Sequence, residues 1–396
     1  MVTLADGKAL EAKPMYTPRM LMVVFGAGAS YDSSPTYTPG GAVPPPGLGE
    51  LGPHDDYYRP PLAKDLFSNR PLFISALEQF PECKTIVHRL RDPAITDGHE
   101  SIEARLQEIE QEAKTYFRGR QELAAVRCYL QCAVWDCELR WRGVTQRITN
   151  YLALLREIDR LRGDNEPVCL VTFNYDTLLE DALEILGHRI RRMEDYTDGG
   201  SPFRVFKLHG SVNWAQRAEI QLPPNISLND SVSILRYQIA NVEAARISDN
   251  FALVDPRSPG VAQVFPRIPV GDRFFTSDAK PGIVPAFPAI AIPVERKTTF
   301  QCPRHMIKEL AVALPGITKV VLIGWRATEE HFLKLLKQHL RPGISISVVS
   351  GDKEEAERVR VRINRALFPT RPDSTAEPAG FTDFIRSRRA EAILAL

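Results

Sequence analysis

Apolar residues along this chain fall into two patterns. Short continuous runs occur at Leu21 to Phe25, in "PVCLVTFNYD" from Pro167 to Asp176, and in "FRVFKLHG", "TKVVLIGW" and "ISISVVS". Such runs predict strands buried on both faces. Helically spaced residues occur between them. Ile102, Leu106 and Ile109, then Leu123, Val126, Leu130 and Val134, recur at three- and four-residue intervals, and residues 101–162 contain no proline. Helices are also predicted at "PLAKDLF", "PLFISALEQF", "TLLEDALEIL", Arg304 to Leu314 and "EEHFLKLLKQHL". The stretches Tyr31 to Pro61 and Gln216 to Val294 are rich in proline and carry no period, so they read as irregular.

Strands alternating with helices predict an α/β fold: a Rossmann-like, doubly wound, mostly parallel sheet with a helical insert. The expected division is a polar lead-in over 1–18, the α/β domain over 19–61 and 163–352, the helical subdomain over 62–162, and a C-terminal helix and surface tail over 353–396.

Composition narrows the function classes. The chain has 396 residues, 44% hydrophobic and 25% charged, which is a soluble globular balance. A net charge of +1 gives no global attraction to nucleic acid or to an anionic membrane surface. The opening "MVTLADGKAL" has no apolar core of a secretory signal, and "GIVPAFPAIAIPV" is cut by three prolines and too short to span a bilayer. The six cysteines are irregularly spaced. They suit reduced thiols in a cytoplasm, and Cys128 and Cys132, one helical turn apart, read as packing thiols.

Ligands of doubly wound sheets bind at the carboxyl ends of the strands. Here those ends are Gly26-Ala27-Gly28-Ala29-Ser30, Thr172-Phe173-Asn174-Tyr175-Asp176, Lys207-Leu208-His209-Gly210-Ser211, Gly324-Trp325-Arg326 and Ser350-Gly351-Asp352. The glycine turn is either a plain strand-to-loop turn or a seat where backbone amides meet a pyrophosphate. Tyr31 stands where a G-x-G-x-x-G motif has its third glycine, and no acidic residue ends a second strand about 20 residues on, which disfavours a nicotinamide dehydrogenase. Asn174 and Asp176 either cap the following helix or hold a ribose hydroxyl, an amide or a water. His209 is either a structural histidine or a general base. "WDCELRWR", Trp135 to Arg142, reads as an amphipathic helix with two buried tryptophans or as a contact face. "KEEAERVRVR" reads as a solvated helix face.

In this order, "FGAGAS", "TFNYD", "KLHGS" and "LIGW" resemble the sirtuin superfamily, and within it the divergent bacterial sirtuin-like NAD-consuming proteins of antiphage defence. The resemblance covers roughly residues 21–60 and 165–352. It implies NAD+ as substrate, held by Gly26, Ala27, Gly28, Ala29, Ser30, Thr172, Phe173, Tyr175, Gly210, Ser211, Gly324, Trp325 and Ser350. It implies that Asn174 positions the nicotinamide ribose or the attacking water, that Asp176 sits near the carboxamide, and that His209 acts as base towards the ribose hydroxyls. "PGIVPAFP" looks like the family's proline-rich loop. Protein-deacylating members carry a zinc ribbon of two C-x-x-C pairs, and no C-x-x-C occurs here. No metal is therefore expected, and hydrolysis is favoured over peptide deacylation. The resemblance further implies a cytoplasmic homo-oligomer gated by a partner, with a HerA-type ATPase or a short Argonaute module as candidates. The alternatives are a deacylase or ADP-ribosyltransferase, and a non-catalytic sensor of NAD+ or ADP-ribose.

Overall fold

A computed structural model describes residues 20–34, 58–92, 95, 100–164, 166–198, 200–219, 237, 239–242, 246–254, 286–294, 299–369, 372–377, 380–387 and 389–394. The stretch read as irregular over Tyr31 to Pro61 falls mostly outside the described residues.

The centre of the molecule is a six-stranded sheet of β1 (Met20–Phe25), β2 (Val168–Thr172), β3 (Phe203–Lys207), β7 (Ile317–Ile323), β8 (Ser345–Val349) and β9 (Asp373–Glu377). The strand order is β3-β2-β1-β7-β8-β9, and each neighbouring pair is parallel. This is the α/β Rossmann-like architecture the apolar runs predict. Every residue of β1 and β2 is buried, because helices cover both faces of a parallel sheet. The order reverses at β1, with β2 on one side and β7 on the other, so the switch-point crevice lies at the ends of β1 and β7.

Helices α1 (Ala27–Tyr31), α2 (Pro71–Gln79), α3 (Lys84–Leu90), α4 (Ile102–Ala113), α5 (Phe117–Thr145) and α6 (Asn150–Leu161) precede β2. The second core packs α2 to α5 around Phe73, Phe80, Leu106, Leu130 and Trp135. Helix α5 has 29 residues and is about 43 Å long at 1.5 Å per residue. It bridges the two cores, placing Trp135 among the helices and Trp141 against the sheet. Both tryptophans are buried, as the amphipathic reading expects. Helix α6 packs on the sheet through Tyr151, Leu154, Leu155 and Ile158.

Two readings from periodicity differ from the structure. Part of the stretch read as irregular forms a second, antiparallel sheet of β4 (Gly210–Glu219), β5 (Arg246–Leu253) and β6 (Ala286–Ile290), in the order β5-β4-β6. Pro288, in the segment read as a proline-rich loop, lies within β6 opposite Ala215. Proline is tolerated there because β6 is an edge strand. The second difference lies in the tail. Beyond α7 (Leu178–Ile185), α8 (Arg304–Ala313) and α9 (Glu330–His339), the chain continues through α10 (Lys353–Leu367) to β9, α11 (Phe381–Arg386) and α12 (Arg389–Leu394). Strand β9 completes the sheet, and Phe381, Thr382 and Phe384 are buried. "DSTAE" carries no apolar alternation because β9 is a partly exposed edge, where polar residues discourage pairing with other chains. Among the described residues no helix is long and apolar enough to cross a membrane.

Candidate active site

The glycine turn closes against the end of β7. Gly26 donates its amide to Ile323 O at 3.0 Å, Gly28 to Gly324 O at 3.1 Å, and Ala29 to Gly26 O at 2.9 Å. A Cβ on Gly26 would lie 2.5 Å from Gly324 O, and one on Gly324, whose φ is +59°, would lie 2.4 Å from Ala29 N. Glycine is thus needed for two backbones to touch at the switch point. These three amides are directed into the protein, so they are not ones that would face a phosphate.

The Asn174 side chain reaches back across this turn. Its Nδ2 donates to Gly26 O at 2.9 Å and lies 2.9 Å from Ser30 Oγ and 3.1 Å from the Tyr151 hydroxyl. A carbonyl oxygen can only accept, so the Gly26 contact fixes which end of the carboxamide points inward. Asn174 Oδ1 has no donor among the described residues, although the residue is only 7% exposed. Its own amide donates to Thr172 Oγ1 at 3.0 Å, holding the chain as β2 ends. Ser30 Oγ and the Tyr151 hydroxyl are 2.9 Å apart. The Asp176 carboxylate is pushed up because burial outweighs the attraction of Lys207 and the neighbouring Ser30. Asp176 Oδ1 accepts the amide of Leu178 at 3.2 Å, so Asp176 also caps α7. Burial raises the Tyr151 hydroxyl well above its usual range and keeps it a neutral donor and acceptor.

Charged groups lie beneath this cluster. Lys207, on β3, is fully buried, 3.0 Å from Glu180 Oε1, and donates to the carbonyl of Asp176. Tyr196 donates to Glu180 at 2.9 Å and receives the Trp214 indole N–H at 3.0 Å. Glu138, inside α5, accepts the Thr177 amide at 2.9 Å together with the Thr177 hydroxyl and Arg142. Burial is the main cause that pushes Glu138 up to about 7, and Asp176 and Asp181 add to it against Arg142.

His209 stands at the end of β3 and is 3% exposed. Its ring meets Phe173 edge-on at 4.8 Å and stacks on His331 at 6.3 Å. Phe173 stacks on Trp325 at 5.3 Å, and Trp325 donates to Glu329 at 2.6 Å. The ends of β2, β3 and β7 therefore meet through rings. Gly210, with φ +80°, leaves no room for a Cβ beside Ala289 O. Ser211 Oγ and the Val212 amide donate to Tyr175 O, and the Tyr175 hydroxyl donates to Ala291 O at 2.7 Å. Tyr175, Gly210 and Ser211 thus join the two sheets. Ser350 donates to Glu377 O at 3.3 Å, at the end of β8, two strands from β1.

The structure brings Gly26, Ser30, Asn174 and Asp176 together and places His209 with Phe173 and Trp325. Tyr151, Lys207 and Glu138 escaped sequence reasoning. Tyr151 meets Ser30 across 121 positions of chain, which no local pattern reveals. Lys207 left a signal: it is a charge at the buried end of β3, at a position read above only as part of a strand end. All six cysteines are buried and free, and burial raises the Cys128 thiol to about 12. Among the described residues no group of three or more His, Cys, Asp or Glu is placed to hold a metal ion.

Residues 168–235 match a family model described as SIR2-like domain. The matched span begins at β2 and includes Asn174, Asp176 and His209. It supports a relationship to the sirtuin-like superfamily and, with it, NAD-related activity, since SIR2-like domains are in general NAD-dependent enzymes. No match was found among curated proteins.

Proposed function

We propose that the chain is an NAD+ hydrolase that splits NAD+ into nicotinamide and ADP-ribose. The observation that carries this reading is the fixed carboxamide of Asn174. Gly26 O, Ser30 and Tyr151 take up Nδ2, which leaves Oδ1 as an acceptor at the switch-point edge of the sheet. An acceptor held there suits a ribose hydroxyl or the proton of an attacking water. The SIR2-like match over the same residues supports the choice of NAD+.

The reaction needs little acid. Water oxygen bonds to the anomeric carbon as the C–N bond to nicotinamide breaks. The bonding pair returns to the pyridinium nitrogen, so nicotinamide departs neutral. The water proton leaves to solvent, and His209 acts as base towards the ribose hydroxyls. Orientation of bound reactants supplies up to ~7–11 kcal/mol in favourable systems, and a positioned base ~10²–10⁴-fold. Ser30, Thr172, Phe173, Tyr175 and Trp325 line the strand ends around Asn174 and His209 and would hold the nicotinamide riboside. Ala27 and Gly324 would lie nearer the pyrophosphate, and Ser350 nearer the adenosine half.

In the same proposal the enzyme is a cytoplasmic effector of bacterial antiphage defence that acts by NAD+ depletion. Unchecked hydrolysis is toxic, so an assembly of copies or a partner such as a HerA-type ATPase or a short Argonaute module would gate it. The test is release of nicotinamide and ADP-ribose from NAD+, followed by chromatography with and without such partners, for wild type, Asn174→Ala and His209→Ala. Turnover by wild type that both variants lose supports the hydrolase. Turnover that requires an acyl-lysine peptide would replace it with a deacylase. ADP-ribose binding with no turnover under any condition would replace it with a sensor.

A further inference from the structure

The hydroxyl of Tyr151 lies 2.9 Å from Ser30 Oγ and 3.1 Å from Asn174 Nδ2. The amide nitrogen can only donate, so the Tyr151 hydroxyl and Ser30 Oγ, which lies 2.9 Å from Nδ2, are its acceptors. The two hydroxyls bond to each other, so Tyr151, Ser30 and the Asn174 nitrogen form one closed cluster.

The Tyr151 ring is itself held tightly. It lies 5.1 Å from Phe25 at the end of β1, and the Phe381 ring meets it edge-on at 5.5 Å. Phe381 opens α11, whose next residue, Thr382, donates its amide and its hydroxyl to the buried Asp32 at 3.0 and 2.6 Å. Asn150, beside Tyr151, donates to Asp32 O at 2.7 Å and to Thr382 Oγ1 at 2.9 Å. Helix α6 and the C-terminal segment are thus pinned to the loop that follows the glycine turn.

We infer that Tyr151 is a positioning residue for Asn174: its hydroxyl, fixed by Phe25 and Phe381, holds the carboxamide so that Oδ1 faces the substrate. The inference rests on the NAD+ hydrolase reading for its kinetic test and on geometry alone for its structural one. A purely structural Tyr151 would matter for its ring, and Phe keeps the ring.

The experiment measures kcat, KM and melting temperature for wild type, Tyr151→Phe, Asn174→Ala and the double variant, with a crystal structure of Tyr151→Phe. The expected result is a kcat lowered about tenfold, KM within twofold, and an unchanged melting temperature for Tyr151→Phe. No further fall is expected when Tyr151→Phe is added to Asn174→Ala, because residues acting through one group are not additive. In the crystal the Asn174 carboxamide is expected to leave the Gly26 carbonyl or to become disordered. Phe381→Leu, which keeps the hydroxyl but loosens the ring, is expected to lower kcat in the same direction, and it serves if Tyr151→Phe does not fold. Wild-type kcat in Tyr151→Phe, or independent effects in the double variant, would overturn the inference. If wild type hydrolyses no NAD+, the hydrolase reading fails by itself. The crystal structure then decides, and a carboxamide unmoved in Tyr151→Phe overturns the positioning role.

Discussion

Gly28 donates its amide to the carbonyl of Gly324 at 3.1 Å, and neither position tolerates a Cβ. β1 and β7 are the third and fourth strands in the sheet order and pair directly, and their end turns pack backbone on backbone. Gly324→Ala is expected to be costly for two reasons. Its φ of +59° disfavours an L side chain, and the new Cβ would lie 2.5 Å from the Gly28 carbonyl carbon. Left-handed strain costs roughly 1–2 kcal/mol and overpacking about 1–3 kcal/mol. Denaturant unfolding should show a loss of about 2–5 kcal/mol. A variant as stable as wild type would refute the packing account of the turn.

Asn174 can be tested by two substitutions that differ only in what they leave beside Gly26. Asn174→Ala removes the donor, and Gly26 O still accepts from Ala29. Asn174→Asp puts a second acceptor against that carbonyl. Both variants should lose nicotinamide release, by about 10²-fold or more. Asn174→Asp should also be the less stable of the two above pH 7. Equal melting temperatures would show that the carboxamide is not oriented by Gly26.

Glu138 gives a pH dependence with a definite sign. Its carboxyl is raised from 4.5 to about 7, so the native state holds the proton more tightly than the unfolded chain does. Its contribution to stability is full below about pH 4.5 and is lost as pH rises through about 7. Glu138→Gln lacks this slope. Between pH 5 and 8 the variant should gain on wild type by ~2–3 kcal/mol at most, at 1.36 kcal/mol per pH unit. Urea unfolding of both proteins at the two pH values checks it, and parallel pH profiles would contradict it.

Lys207 and Glu180 form a buried ion pair at 3.0 Å. Removing one partner of such a pair leaves an uncompensated charge and costs roughly 3–5 kcal/mol. Lys207→Met should be destabilised by that order. Adding Glu180→Gln should recover a large part of the loss, because the orphaned charge is then gone. Thermal melts of the single and double variants measure the coupling. Simple additivity of the two losses would argue against the pair.

The sheet was legible because its chemistry is local. A strand covered by helices on both faces must be apolar throughout, and LMVVF, VCLV and VVLI carry that requirement in their own letters. The ends of those strands were equally legible, since glycine, asparagine and histidine interrupt apolar runs where the chain must turn. The edge strand β9 and the antiparallel sheet were not. β9 and β5 are partly exposed, β6 carries Pro288, and β4, though largely buried, mixes Gly210, Ser211, Asn213 and Gln216 with its apolar residues, so none shows an unbroken apolar run.

Read alone, the residue order defined the α/β alternation and named Asn174, Asp176 and His209, because strand ends and turn residues are dictated within a few positions. Contacts between distant segments settled the rest. They showed that Gly26, Gly28 and Gly324 serve a close backbone approach, that Asn174 faces Gly26 O with its nitrogen, and that Tyr151 and the C-terminal Phe381 stand behind it. Hydrogen bonds and burial act through space, and a chain of this length brings together groups whose positions in sequence carry no mark of one another.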